Sequence, residues 1–290
     1  MMDRTHHDTL SKQPGTKPPG VPSTFSDDML WLLLLGFALL GLYRFGRLLP
    51  DTAVLVLWLT TTVLIALGHF LRLRIRRQAW LHAYVAPSSA LQQWLRGGLV
   101  ALLIRTLMAA ALAVALIIGT LRLTGPGELL LLLASLPLLA GLRWGAGRSL
   151  ARHISPHYLP ESAWRVAIAL TFVILCTGLL AQSWWRPGPD FTAVSLDQAA
   201  WYLALEESAE SAVLERALAV AGAMEGVRWW LAQHGLARLQ WPSLELLGWL
   251  LVLLKSAVFV SAWLHCCVGV MLMRTLWETS DAASDPIPLE

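Results

Sequence analysis

Residues 98–121 read GLVALLIRTLMAAALAVALIIGTL. Apart from Arg105, Thr106 and Thr120, every position is apolar or glycine. As a helix rising 1.5 Å per residue, such a run spans roughly 36 Å, enough to cross ~30 Å of hydrocarbon. Reading outward from it, five more apolar runs of comparable character flank it. Met29–Tyr43, extending through Leu49, comes first and Thr52–Leu71 second. After the third run, Glu128–Leu142 carries Pro137 and is expected to continue as helix past Arg143. Trp164–Trp185 is the fifth, and Leu246–Met273, with Lys255 inside it, is the sixth. The expected fold is therefore an all-α integral membrane protein, a polytopic bundle of six transmembrane helices with an amphipathic helical extracytoplasmic segment.

Composition points the same way. Apolar residues make up 56% of the 290 positions and charged residues 14%, against ~45–50% and ~25% in soluble domains. Mean hydropathy is +0.58. These values exclude a soluble globule, a disordered chain and a disulfide scaffold. The net charge of +3 does not indicate nucleic acid, because most basic residues sit beside apolar runs, where anionic lipid headgroups account for them. Nineteen arginines against three lysines, with no asparagine, point to a GC-rich bacterial genome. Cys176, Cys266 and Cys267 all lie within apolar runs and read as buried small hydrophobes.

Five regions follow. Residues 1–27 are polar and rich in proline (Pro14, Pro18, Pro19, Pro22) and read as a disordered cytoplasmic tail. Residues 28–185 form a five-span membrane region, 186–245 an extracytoplasmic segment, 246–273 the sixth span, and 274–290 a cytoplasmic tail. With six crossings, thirteen Lys and Arg residues collect on the side of the termini and seven on the other. The positive-inside rule then places both termini in the cytoplasm of a bacterial inner membrane. Arg44 and Arg47 run against that rule. The Arg-rich stretch Arg72–Arg77, followed by Trp80 and Trp94, reads as a cytoplasmic anchor to anionic lipid.

The 186–245 segment is acidic, with a net charge of −4 and a cluster at Glu206, Glu207 and Glu210. Leu214, Leu218, Ala221, Met224, Val227 and Leu231 recur at helical spacing, and Gly235 is a plausible stop. Trp184, Trp185, Trp229, Trp230 and Trp241 are expected as interfacial anchors, since tryptophan favours headgroup depth. The helix would either lie on the outer leaflet or cap the bundle or a partner.

Chemical motifs are absent. No Walker A, Rossmann glycine pattern, HExxH or GxSxG occurs, so the sequence leans away from an enzyme and no cofactor is expected. His69 and His265 fall at similar depth in spans two and six, where they read as polar packing or, at most, a haem pair. His153 and His157 are spaced i,i+4, but Pro156 between them argues against a metal site. The two intramembrane charges, Arg105 and Lys255, are the strongest functional signal, because a cation near the bilayer centre costs roughly 2.5–3.5 kcal/mol on insertion scales. No carboxylate lies deep in a span to neutralise them unless Glu128 or Glu245 reaches inward. Two functions fit. The first is a non-enzymatic membrane subunit supporting assembly or anchoring of a larger complex, with other membrane protein subunits as partners. The second is an anion or anionic-solute transporter or channel using Arg105 and Lys255. Gly141-x-x-x-Gly145 offers a close helix contact for the first.

Overall fold

A computed structural model of the chain describes residues 25–84, 99–154, 158–185, 188–238 and 253–273. Side chains are placed at 29–69, 102–154, 158–159, 161–183, 185, 188–234 and 253–273. All regular structure among them is helical. Helix α1 (Phe25–Phe45) ends in a 3₁₀ turn, Gly46–Leu48, and α2 runs Asp51–Tyr84. Then come α3 (Leu99–Leu121), α4 (Pro126–Leu150) and α5 (Leu159–Trp185). Two helices outside the apolar spans follow, α6 (Leu196–Leu205) and α7 (Ala212–Arg238). The last helix is α8 (Leu253–Met273). Among the described residues six helices, α1 to α5 and α8, are long and apolar enough to cross a membrane, so the chain is an all-α, multi-pass membrane protein.

Local chemistry accounts for the ends. Pro126 opens α4, where its missing N–H costs nothing and its fixed φ suits the first turn. Pro137 lies inside that helix, tolerated because neighbouring spans and side chains can re-satisfy the freed backbone group. As expected, α4 continues past Arg143. Ser195 caps α6 in a capping box, accepting from the Gln198 N–H while the Gln198 side chain accepts from the Ser195 N–H. One expectation fails at the C-terminal side: α7 does not stop at Gly235 but runs to Arg238. Glycine costs a helix interior only about 1 kcal/mol relative to alanine. The turn before it is anchored, since Gln233 donates to the Pro189 carbonyl at 2.7 Å and accepts from the Phe191 N–H at 2.7 Å.

Span six is the core. In its apolar window 61% of positions are buried, against 22–33% in the other five spans. Phe259, Val260, Trp263, Leu264 and Val268 of α8 share one cluster with Leu32, Ile65, Ala113, Leu132 and Leu175 of the surrounding helices. Lipid tails are as apolar as these side chains, so close packing and buried hydrogen bonds hold the spans together. The Trp263 indole donates to Ser135 Oγ at 2.9 Å, and Ser135 in turn donates to the Leu132 carbonyl. Helices α2 and α8 meet backbone to backbone: a Cβ on Gly269 would sit 1.9 Å from the Leu64 carbonyl oxygen. The three cysteines are buried and free. By contrast, Phe37, Val56, Leu103, Leu107 and Val173 point outward from the bundle, the surface a bilayer covers.

Candidate functional site

Helices α6 and α7 form an antiparallel hairpin seated on one end of the bundle. Its two backbones are in contact, because a Cβ on Gly222 would lie 2.4 Å from the Leu203 carbonyl oxygen and one on Gly226 2.2 Å from that of Ala199. Leu214 and Leu218 bury against Ile117 and Leu121 of α3, with Leu42, Val54, Leu57 and Trp58 around them. The first two turns of the apolar face of α7 are thus spent on the bundle, while Met224 and Leu231 of the same face stay exposed. Ser211 fixes the entry to α7: its hydroxyl accepts from the Leu214 N–H and donates to the Asp51 carboxylate at the start of α2. The Glu210 N–H donates to the Arg47 carbonyl at 2.9 Å.

An ion-pair network lies beneath this hairpin. Lys255 Nζ contacts Glu225 Oε2 at 2.7 Å, and Arg122 reaches the same carboxylate at 3.1 Å. Arg228, one turn on, holds the other Glu225 oxygen at 3.0 Å. Arg122 also pairs with Glu207 at 2.6 Å, and Glu207 meets Arg47 at 3.0 Å. Arg47 and Arg122 donate further to the carbonyls of Leu121 and Leu218. The chain of contacts therefore ties the end of α1, the end of α3 and Lys255 of α8 to the hairpin. Burial alone would raise the Glu225 carboxyl, but the Lys255 ammonium, with Arg228 and Arg122, outweighs it and holds the group at about 2.

This arrangement revises the sequence reading of Lys255. Its carboxylate is not Glu128 but Glu225 on the amphipathic helix. Glu128 instead accepts from the Thr124 N–H at 3.0 Å, and Glu245 lies outside the described residues. Arg47, an exception to the positive-inside rule, has its charge answered by Glu207. Arg105 is not part of the network: it lies about 25 Å down α3 from Arg122 at 1.5 Å per residue. No ion pair to it is found among the described residues. The two charges invoked for transport do not converge.

His69 and His265 do come together, with ring centroids 4.1 Å apart and planes 13° from parallel. His265 Nδ1 donates to the Ser261 carbonyl at 2.7 Å. Rings in face-to-face contact leave no room for a haem between them, so the pair fits packing between α2 and α8. Among the described residues no group of three or more metal-ligating side chains occurs. Trp229 and Trp230 are half-buried within the hairpin region. The Trp229 ring lies against Gly188, and the Trp230 indole donates to the Val194 carbonyl at 2.9 Å and stacks on His234. Trp185 is 80% exposed at the end of α5. The Trp184 side chain, Trp241, the side chains of Arg72–Arg77, Trp80 and Trp94, His157 and residues 1–24 and 274–290 lie outside the described residues.

A Cβ added at Gly141 or Gly145 would meet nothing within 4 Å; the close backbone contacts fall instead at Gly269, Gly222 and Gly226. Sequence reasoning singled out Lys255 and the acidic cluster but missed Glu225 and Arg122 as partners. The available signal was complementarity, since an acidic segment follows span ends carrying Arg47 and Arg122 and precedes Lys255. Comparison with known protein families, with curated proteins and with solved structures finds no match for this chain.

Proposed function

We propose that the chain is a non-enzymatic inner-membrane subunit that anchors or helps assemble a larger membrane complex, with the hairpin extracytoplasmic and both termini cytoplasmic. One observation carries the reading. The hairpin is tied rigidly to three spans by charge, yet it holds a row of apolar side chains away from the bundle. Trp201, Tyr202 and Leu205 of α6 and Val213, Val220 and Met224 of α7 are all more than half exposed. Exposed Asp197 and Glu206 lie beside the α6 members of this row and exposed Arg216 beside the α7 members. A fringe of mixed charge around an apolar patch fits a protein partner of complementary charge. The open glycines of α4 fit the same reading within the bilayer.

The transport reading draws less support, because Lys255 is engaged by Glu225 and Arg105 lies far from it. Native purification in mild detergent followed by mass spectrometry tests the proposal. A co-purifying membrane protein whose recovery falls on Val220→Asp/Met224→Asp supports it, since those positions face away from the bundle. A lone, monodisperse monomer with an intact hairpin overturns it. Lys255→Met separates the alternatives: loss of anion flux in proteoliposomes with the hairpin still seated would favour transport.

A further inference from the structure

At the end of the bundle opposite the hairpin, α4 finishes at Leu150 and the chain turns, with the His153 and Ile154 N–H groups both donating to the Leu150 carbonyl. Arg148, Ser149, Arg152 and His153 line an open hollow of about 370 Å³ there. All four lining residues are exposed, so the hollow is an open notch on the surface of the helix end. Among the described residues, no carboxylate lines it.

A helix C-terminus favours cations, which gives one basic residue in the last turn an ordinary explanation worth about 0.3–1 kcal/mol. The positive-inside bias accounts for arginines at this end in general, but not for two of them four residues apart that share one hollow with a histidine and a hydroxyl. Neither Arg148 nor Arg152 has a carboxylate partner among the described residues. Arg148 is held instead by the Trp144 ring, its guanidinium carbon 4.0 Å from the ring centre. Stacking occupies the face of a guanidinium and leaves its edge N–H groups to donate. Two arginine forks, a serine hydroxyl and an imidazole together match the several oxygens of a phosphate.

We propose that this hollow binds a phosphate group. Its position at the end of an apolar span, beside exposed Trp144, is headgroup depth. An anionic phospholipid and a phosphate ester from solution are the two sources of the same chemistry, and one experiment distinguishes them. The full chain is placed in nanodiscs of phosphatidylcholine, with or without phosphatidylglycerol, and retained lipid is counted by native mass spectrometry. In parallel, thermal stability is read in pure phosphatidylcholine as inorganic phosphate is added. Arg148→Gln/Arg152→Gln is compared with Arg216→Gln, which removes an exposed charge from the hairpin.

If the phosphate is a lipid's, the wild-type chain retains phosphatidylglycerol and the double variant holds it about tenfold or more weakly, the scale of losing charge-assisted hydrogen bonds. Arg216→Gln matches wild type. If the phosphate is soluble, inorganic phosphate raises the wild-type melting temperature and not that of the double variant. Either pattern supports the site. Equal lipid retention by all three chains with no response to inorganic phosphate overturns it. So does an equal loss in Arg216→Gln, which would show diffuse attraction in place of a site.

Discussion

The two ends of the bundle both carry basic side chains, but they dispose of them in opposite ways. At the hairpin end Arg47, Arg122, Arg228 and Lys255 converge on Glu207 and Glu225, and the contacts bridge separate helices. At the other end Arg165 pairs with Glu161 of its own helix, while Arg143 and Arg148 lie over the rings of Trp164 and Trp144. Arg148 and Arg152 meet no carboxylate among the described residues. The difference lies in the surroundings. A cation at the foot of an acidic extramembrane hairpin can be answered from within the chain and becomes a tie. A cation at a bare helix end faces whatever the surroundings supply, which at headgroup depth is phosphate.

The largest break in this contrast is expected from Glu225→Leu. It leaves Lys255 without its carboxylate and Arg122, 12% exposed at the side chain, with one of two. Removing one partner of a buried pair costs about 3–5 kcal/mol. Lys255 is half-exposed, so the lower part of that range is expected. Hydrogen exchange across α6 and α7 should rise while the spans remain protected, and adding Lys255→Met should recover part of the loss. Unchanged protection in Glu225→Leu would mean that the hairpin is held by apolar packing alone.

Gly226→Leu asks how far the hairpin holds itself. The added side chain meets the α6 backbone at Ala199 and must push the two helices apart, an overpacking cost of about 1–3 kcal/mol. The network held by the neighbouring Glu225 should persist, so Lys255 and Glu225 ought still to couple in a double-mutant cycle. Loss of that coupling would show that α6 positions Glu225 indirectly.

The spans were legible in the sequence because each is a long apolar run, and length against bilayer thickness is a physical test a sequence can pass. The seating of α7 was half legible. The Leu214 and Leu218 periodicity marked an apolar face without saying whether lipid or bundle would cover it. Helix α6 was missed although Ser195-x-x-Gln198 is a capping box, since ten residues give little periodicity. Glu225 was missed for a different reason. Its partners lie far away in the chain, at Arg122 and Lys255, and only the fold brings them within 3.1 Å. The crossing of α2 and α8 at Gly269 was hidden in the same way, because a glycine in an apolar run does not announce which backbone it admits.

Arg47→Gln is expected to cost far less than either change above. Its side chain is 41% exposed, so its pair with Glu207 is screened and worth about 0–1 kcal/mol. Glu207 keeps Arg122 at 2.6 Å. The hairpin should stay seated, with a small shift in the unfolding midpoint. A loss approaching that of Glu225→Leu would make the turn after α1 the true anchor.

The smallest response is expected from pH, and its absence is informative. Glu225 ordinarily titrates near 4.5 and is held at about 2 by Lys255, Arg228 and Arg122 against the opposing effect of burial. A carboxylate depressed on folding contributes stability that is fully present above its unfolded value and lost as pH falls through its folded one. That contribution is therefore constant from about pH 8 to about pH 5 and is withdrawn only between about 4.5 and about 2. Hydrogen-exchange protection of α7, corrected for the intrinsic rate at each pH, should stay flat across the upper window. In Lys255→Met the carboxylate loses its leading cation, so the decline should begin at higher pH than in wild type. A wild-type midpoint at or above 4.5 would show that the cations do not hold Glu225, and the contrast between the two ends would fail.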